Sequence, residues 1–158
     1  MQSNRNTKKR NFTLIELMVV VIIVAILAAA AVPIYLAQSR RAKTAEAVAG
    51  LGAIRSVQRV YYAEKSAYLA ITAGNISNNP EDTDVGLGLD FGTNTYFDDN
   101  CFAVTISGAT FVATCDGTDA DNASPRASDV TKISVRMNEK GQLSYRYGAS
   151  DASWSSYE

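Results

Sequence analysis

The chain has 158 residues, enough for one domain with a modest core, and its formal net charge is -1. Four cations and no acid lie in the first ten residues, while the remainder carries 11 basic and 16 acidic residues, a balance that does not favour nucleic acid as a partner. There is no histidine and no phosphate-binding or dinucleotide-binding motif, which counts against most hydrolytic, metal-dependent and cofactor-dependent chemistry. We therefore expect neither an enzyme nor a nucleic-acid-binding protein.

An apolar segment follows the basic N-terminus. From Leu17 to Leu36, 20 residues carry no charge, and a helix of this length spans roughly 30 Å, the thickness of a hydrocarbon core. The larger basic cluster, on the N-terminal side, favours a cytoplasmic N-terminus. A secretory signal peptide has a shorter apolar region than this one. A plain membrane anchor explains the length but not Glu16, because a carboxylate at the start of a spanning helix is costly without a partner.

The residues at the start of this segment resemble a known family. A basic leader, the sequence FTLIEL beginning at Phe12 and an apolar helix containing Pro33 are together similar to the N-terminus of type IV pilins and pseudopilins. The similarity is close from about Lys8 to Arg41 and continues loosely to about Tyr68. What this family is known to do therefore supplies expectations for the chain.

The resemblance implies three parts. Residues 1–11 form a cleavable basic leader, residues 12–36 form a transmembrane or filament-core helix, and residues 37–158 hold the rest of the helix and a globular β-sheet domain. A membrane peptidase is expected to cut between Asn11 and Phe12 and to methylate the new amino group. Family members usually carry glycine before the cut, so Asn11 is a departure that concerns the efficiency of processing rather than the family.

The resemblance also gives Glu16 and Pro33 roles in assembly. The Glu16 carboxylate is expected to meet the amino group of Phe12 on a neighbouring subunit. Because an unpaired carboxylate is expensive in an apolar filament core, this pairing would set the register between subunits. Pro33 lacks an N–H and is expected to kink or weaken the preceding turn, from Ala29 onwards. In the family this region loosens on assembly, but a tolerated transmembrane proline explains the residue equally well.

The implied function is structural. The chain is expected to be a subunit of a type IV pilus-like filament used for adhesion, motility or DNA uptake, and the alternative is a pseudopilin of a type II secretion system. Its expected partners are further copies of itself, a prepilin peptidase and methylase, the membrane, and an inner-membrane assembly platform with its ATPase. The precursor is expected in a bacterial inner membrane and the product on the cell surface.

Beyond the apolar segment the helical pattern becomes amphipathic. Apolar residues recur at intervals of three and four, which predicts one buried stripe; its members are Ala47, Leu51, Ile54, Val57 and Tyr61. We expect a nearly continuous helix from about Thr13 to Lys65. Gly50 and Gly52 weaken such a helix by about 1 kcal/mol each, or else permit close packing or bending.

The rest of the chain predicts a long loop followed by two hairpins. Residues 69–100 are rich in Gly, Asn, Asp and Thr and predict an irregular connection. Two β-rich runs, ending at Ile106 and beginning at Thr110, flank a turn signal. A three-residue loop there would place Cys101 directly opposite Cys115, where a disulfide would join the strands; free buried cysteines are the alternative.

The second hairpin completes the predicted fold. Alternating runs on either side of a turn at 138–141 predict its two strands, so the whole is an α+β fold with a long helix on a four-stranded antiparallel sheet. Between the hairpins, Asp116, Asp119 and Asp121 are candidate calcium ligands, although acidic loops are usually only solvated. No other cofactor is expected. The tail after Gly148 could dock on the sheet edge or stay loose.

Overall fold

A computed structural model describes residues 12–81, 85–117, 133–148 and 153–155 of the chain. Its elements are a helix α1 (Leu14–Lys65), a short 3-10 helix (Asp99–Cys101) and four strands, β1 (Phe102–Ser107), β2 (Thr110–Asp116), β3 (Ile133–Asn138) and β4 (Leu143–Tyr147). The chain divides into two compact units, one up to Arg40 and one from Arg41 onwards. The expected α+β fold, a long helix with a four-stranded antiparallel sheet, is confirmed.

The helix begins with a side-chain cap. The Glu16 N–H donates to Oγ1 of Thr13 at 3.3 Å, and the Leu17 N–H donates to the Thr13 carbonyl. A threonine followed three residues later by glutamate is the pattern of a capping box, which satisfies N–H groups that have no partner inside the helix. The cap therefore fixes the start of α1 immediately after Thr13. The helix continues across Pro33 and ends at Lys65, as the sequence predicts.

The buried stripe of the second half of α1 differs from the prediction at its end. Its buried members are Thr44, Ala47, Gly50, Leu51, Ile54 and Gln58. Val57 is partly buried and packs against the core, whereas Tyr61 lies outside the core cluster, so the expectation of one continuous stripe was wrong for Tyr61. Apolar spacing favoured Val57 and Tyr61, but the fully buried residue is Gln58, a polar side chain that the hydrophobic pattern overlooks.

The sheet has the order β1-β2-β3-β4, and each neighbouring pair is antiparallel. In the first hairpin Ser107 pairs with Thr110, so the loop has two residues rather than the three expected. Gly108 opens this loop with φ +59, which suits a type II′ turn. The register consequently places Phe102, not Cys101, opposite Cys115. Cys101 lies instead in the 3-10 turn that precedes β1.

One face of the sheet packs against the second half of α1. Phe102, Phe111, Cys115 and Val135 from the first three strands are each no more than 2% exposed, and Leu51 and Ile54 of the helix belong to the same core cluster. Burial of this many large apolar side chains is the main stabilising contribution to the unit. In β1 residues 102 and 104 are buried and residue 106 is half-buried, so these three alternate positions face the core.

The long connection between helix and sheet is irregular but packed. Four of its apolar side chains, Ile76, Leu87, Phe91 and Phe97, are buried in the core. Ile71 forms a single antiparallel bridge with Val104 at the outer edge of β1. The segment therefore closes part of the core, in addition to linking two elements.

The tail docks on β4. The Ser155 N–H donates to the Tyr145 carbonyl at 3.0 Å, and its hydroxyl accepts from the Tyr145 N–H at 2.9 Å. The Trp154 ring lies against the guanidinium groups of Arg136 and Arg146, at 4.6 and 4.7 Å from the ring centre. Of the two alternatives that the sequence left open for the tail, residues 153–155 take the docked one.

Candidate assembly site

The first half of α1 is an uncovered apolar surface. Every residue from 12 to 38 is exposed, including large side chains such as Ile22, Ile26 and Leu27, which are 56, 66 and 64% exposed. By length and composition, α1 is long and apolar enough to cross a membrane. An exposed apolar surface of this size is not stable in water, so it requires lipid or further apolar helices around it.

The two residues expected to pair between subunits lie at the start of this surface. Phe12 is 78% exposed and precedes the Thr13 cap, and Glu16 is exposed in the first turn of the helix. The cap uses the Glu16 backbone N–H and leaves its carboxylate on the surface. The structure thus places Phe12 and Glu16 within one turn at the helix start. Asn11, the residue before the expected cut, lies outside the described residues.

The two cysteines lie inside the second unit. Cys101 and Cys115 are 2 and 0% exposed, and the Cys101 thiol donates to Oδ1 of Asp98 at 3.6 Å. Burial raises the pKa of the Cys115 thiol well above its usual range, and the neighbouring Cys101 and Asp116 raise it further. Cys101 is therefore an electrostatic neighbour of Cys115 even though the two are not opposite in the sheet. The disulfide stays a prediction.

The candidate calcium ligands are only partly described. Asp119 and Asp121 lie outside the described residues. Asp116 forms a 2.6 Å ion pair with Arg146 and accepts from the Ser134 hydroxyl at 2.9 Å, on the outer face of the sheet. This pairing already supplies the carboxylate with a cation and a hydrogen-bond donor. Calcium binding stays a prediction.

Three polar side chains of α1 form hydrogen bonds with backbone groups of the connection and the second hairpin, and the sequence did not identify them as functional. The Glu46 carboxylate accepts from three successive backbone N–H groups, those of Thr95, Tyr96 and Phe97, at 3.2, 2.8 and 2.8 Å. The other two, Arg55 and Gln58, form hydrogen bonds with other segments. Hydrophobic periodicity in a single sequence does not identify any of the three side chains. Only their buried or half-buried positions on the sheet side of a helix could have suggested them.

Gln58 and Arg55 are the other two. The Gln58 side chain donates to the Leu69 carbonyl at 2.6 Å and accepts from the Leu69 N–H at 3.0 Å, so it pairs both backbone groups of one residue. Arg55 donates to the carbonyls of Glu139 and Lys140 at 2.9 and 3.2 Å, in the turn between β3 and β4. One helix face therefore positions the connection and the second hairpin through backbone hydrogen bonds.

Comparisons with known proteins bear on the N-terminal segment. Residues 7–32 match the family model described as the prokaryotic N-terminal methylation motif. The chain is 44% identical over 66 residues to the type IV major pilin protein PilA of Myxococcus xanthus, a match that covers 42% of this chain and 30% of that relative. The chain thus spans about a third of the length of the curated relative that it matches. No solved structure matches.

Proposed function

We propose, starting from the type IV pilin N-terminus that this chain carries, that the protein is the structural subunit of a type IV pilus-like filament. The observation that carries the proposal is the uncovered apolar half of α1, since residues 12–38 are all exposed in the single subunit. Such a helix fits two successive environments, a bilayer before assembly and a bundle of its own copies afterwards. The partner that completes the structure is then another copy of the chain.

In the proposed function, maturation of the subunit starts with cleavage near its N-terminus. A prepilin peptidase removes residues 1–11 on the cytoplasmic side and the new amino group of Phe12 is methylated, which is the processing that the methylation motif implies. An assembly platform and its ATPase in the inner membrane then move the subunit into a filament outside the cell. Adhesion, motility or DNA uptake would follow from that filament.

Register in the proposed filament comes from Glu16. After the cut, the amine of Phe12 is a cation four residues before Glu16 and lies at the very start of the helix. The two charges of one subunit are exposed at one end of an apolar rod. When rods pack side by side, each carboxylate in an apolar setting requires a cation, and only one axial offset gives every Glu16 a neighbouring amine.

The test is filament formation by the full chain in a bacterium that has the assembly machinery but lacks its own major pilin. Glu16→Gln keeps the size of the side chain and removes its charge, so we expect at least a tenfold loss of sheared surface filaments. The matched control is Glu64→Gln, the same change at an exposed position of the same helix, which should leave the filament yield unchanged. Immunoblotting for the processed form separates a failure of assembly from a failure of cleavage.

Two outcomes would contradict the proposal. Equal filament yields from wild type and Glu16→Gln would remove the role in register. A processed chain that forms no surface filament, and whose deletion blocks protein secretion in its own host, would favour the pseudopilin of a type II secretion system instead.

A further inference from the structure

The second unit contains an open groove between the helix and the edge of the sheet. Its volume is about 320 Å³. The lining residues are Arg41, Thr44, Ala45, Val48, Tyr145 and Tyr147. We call it the Arg41 groove, after the one charged residue among them. Arg41 is exposed, and Tyr147 is 50% exposed on the last strand.

The Arg41 groove is amphipathic. Its polar groups include the Arg41 guanidinium and the hydroxyls of Thr44 and Tyr147, whose oxygens lie 3.5 Å apart. Its apolar side consists of Ala45, Val48 and the Tyr145 ring, which stacks parallel to the Tyr147 ring at 6.3 Å. A guanidinium with nearby hydroxyls suits a phosphate, because it offers several donors to anionic oxygens. The apolar wall suits the carbon atoms attached to such a phosphate.

The position of the groove along the chain matches the headgroup layer of a bilayer. Arg41 follows Leu36, the last residue of the apolar run, by five residues, and five residues of helix rise by about 7.5 Å. The headgroup region on each side of the hydrocarbon core is about 5–8 Å thick. If residues 17–36 span the core, the separation of Arg41 from the end of the span, counted along the helix, is similar to the thickness of the headgroup region.

The local charge also favours an anionic partner. Arg41, the cation that lines the groove, is followed by no acid until Glu46. The Glu46 carboxylate is directed to the backbone N–H groups of Thr95, Tyr96 and Phe97 and so is engaged elsewhere. The apolar helix of a second copy offers no acid other than Glu16 between residues 12 and 36, so it complements this charge poorly.

We propose that the Arg41 groove binds the phosphate headgroup of an anionic phospholipid of the phosphatidylglycerol class, in the leaflet next to the globular unit, while the subunit is anchored before assembly. This inference rests on the membrane-anchored state of the proposed function. The bound lipid would fix how deep the unassembled subunit sits and would be released when the helix leaves the bilayer.

The experiment uses the full chain, one copy per nanodisc, in equal amounts of phosphatidylglycerol and phosphatidylcholine. Native mass spectrometry counts the lipids that remain on the released protein. We expect wild type to retain phosphatidylglycerol about fivefold over phosphatidylcholine. Arg41→Gln should bring the ratio close to one, and Tyr147→Phe, which removes only a hydroxyl, should reduce it about twofold. Arg59→Gln removes an exposed arginine 18 residues further along the same helix and should leave the ratio unchanged.

Each other outcome overturns the inference. Equal losses in Arg41→Gln and Arg59→Gln would mean that total charge, rather than the groove, attracts the lipid. A ratio near one for wild type would show that the protein has no selective lipid site. Unchanged retention in Tyr147→Phe would show that the lipid does not bind in the Arg41 groove. Displacement of the lipid by millimolar inorganic phosphate would show a phosphate site without lipid selectivity.

The result is separable from the proposed function. Protein that does not stay in the nanodisc contradicts the anchored state itself. Protein that stays in the disc without a lipid preference contradicts only the lipid site. Because each disc holds one copy, filament formation through Glu16 does not influence the measurement.

Discussion

Gly50 of the helix lies directly against the ring of Phe102 at the start of β1. A Cβ atom on Gly50 would stand 2.6 Å from the Cζ of Phe102 and 2.7 Å from its Cε1, closer than atoms in contact can approach. Both residues are buried, and Phe102 is 0% exposed. The absent side chain of Gly50 is therefore what lets the helix approach the sheet at this point.

Gly50→Ala should destabilise the second unit by about 1–3 kcal/mol, because the added methyl group overpacks the core against a fully buried ring that also packs on Phe91, with 4.3 Å between the ring centres. Gly52→Ala is the matched control, since, among the residues that the structure describes, no atom outside the adjoining helix backbone lies within 4 Å of a Cβ at that position. There the higher helix propensity of alanine should stabilise the protein by up to about 1 kcal/mol. Thermal unfolding of the full chain in detergent measures both. Destabilisation of equal size in the two variants would contradict the contact.

Glu46→Gln should loosen the loop that contains Thr95, Tyr96 and Phe97. The uncharged amide accepts weaker hydrogen bonds than the carboxylate, and it cannot serve three donors as well. We expect hydrogen exchange at these three backbone amides to accelerate at least tenfold. Glu64→Gln, at an exposed position of the same helix, should leave those rates unchanged. Equal exchange in wild type and Glu46→Gln would show that the loop is held by its buried apolar side chains alone.

The cysteine pair predicts a pH dependence that differs between redox states. The pKa of the Cys115 thiol is raised by burial, so the folded reduced protein keeps a proton that the unfolded chain loses above about pH 8.5. Stability is therefore fully present below that pH and falls as the pH rises above it. Urea unfolding with reductant should show this decline for wild type and a shallower one for Cys115→Ala.

The predicted disulfide between Cys101 and Cys115 can be tested on the same protein by mass measurement and by unfolding. Chain exported normally should be lighter by two hydrogens than chain treated with reductant, and unfolding without reductant should lack the thiol-dependent decline. Identical masses before and after reduction would leave two buried thiols instead of a disulfide.

Asn11→Gly should raise the fraction of processed protein. The peptidase must hold an extended backbone at the cut, and glycine offers less bulk there than asparagine. Immunoblotting of membranes gives the ratio of precursor to processed chain, and N-terminal sequencing of the processed chain should begin at Phe12 for both the wild type and the variant. Asn6→Gly, a change of the same kind within the leader, is the control and should have no effect. Equal processing of wild type and Asn11→Gly would show that the peptidase accepts asparagine.

The sequence predicted the elements well and their connections less well. The helix bounds were correct to one residue, because α1 begins at a threonine–glutamate cap and the apolar run and the amphipathic run both continue to Lys65. The strands were correct because alternation from residue 102 to 106 and from 133 to 137 is typical of a sheet with one buried face. The first hairpin register was wrong by one residue, because Ser107 joins the ladder and a two-residue loop with Gly108 suffices.

The polar anchors could not be predicted because their partners are backbone groups. Gln58 occupies a core position that an apolar residue would normally fill, and it is stable there only because Leu69 offers both a donor and an acceptor. Nothing in the composition of the connection indicates where its backbone turns toward the helix. The N-terminal motif is the opposite case, since its chemistry lies in consecutive residues from Phe12 to Glu16 and is readable without a fold.

The anchors on α1 have a consequence for how this protein can change over evolutionary time. The three anchors form hydrogen bonds with backbone atoms: Glu46 near Tyr96, Arg55 near Lys140 and Gln58 at Leu69. These hydrogen bonds do not depend on the identity of the side chains in those segments. Exposed side chains of those segments can therefore be substituted without breaking the hydrogen bonds that attach the segments to α1, so sequence changes there need no compensating change in the helix.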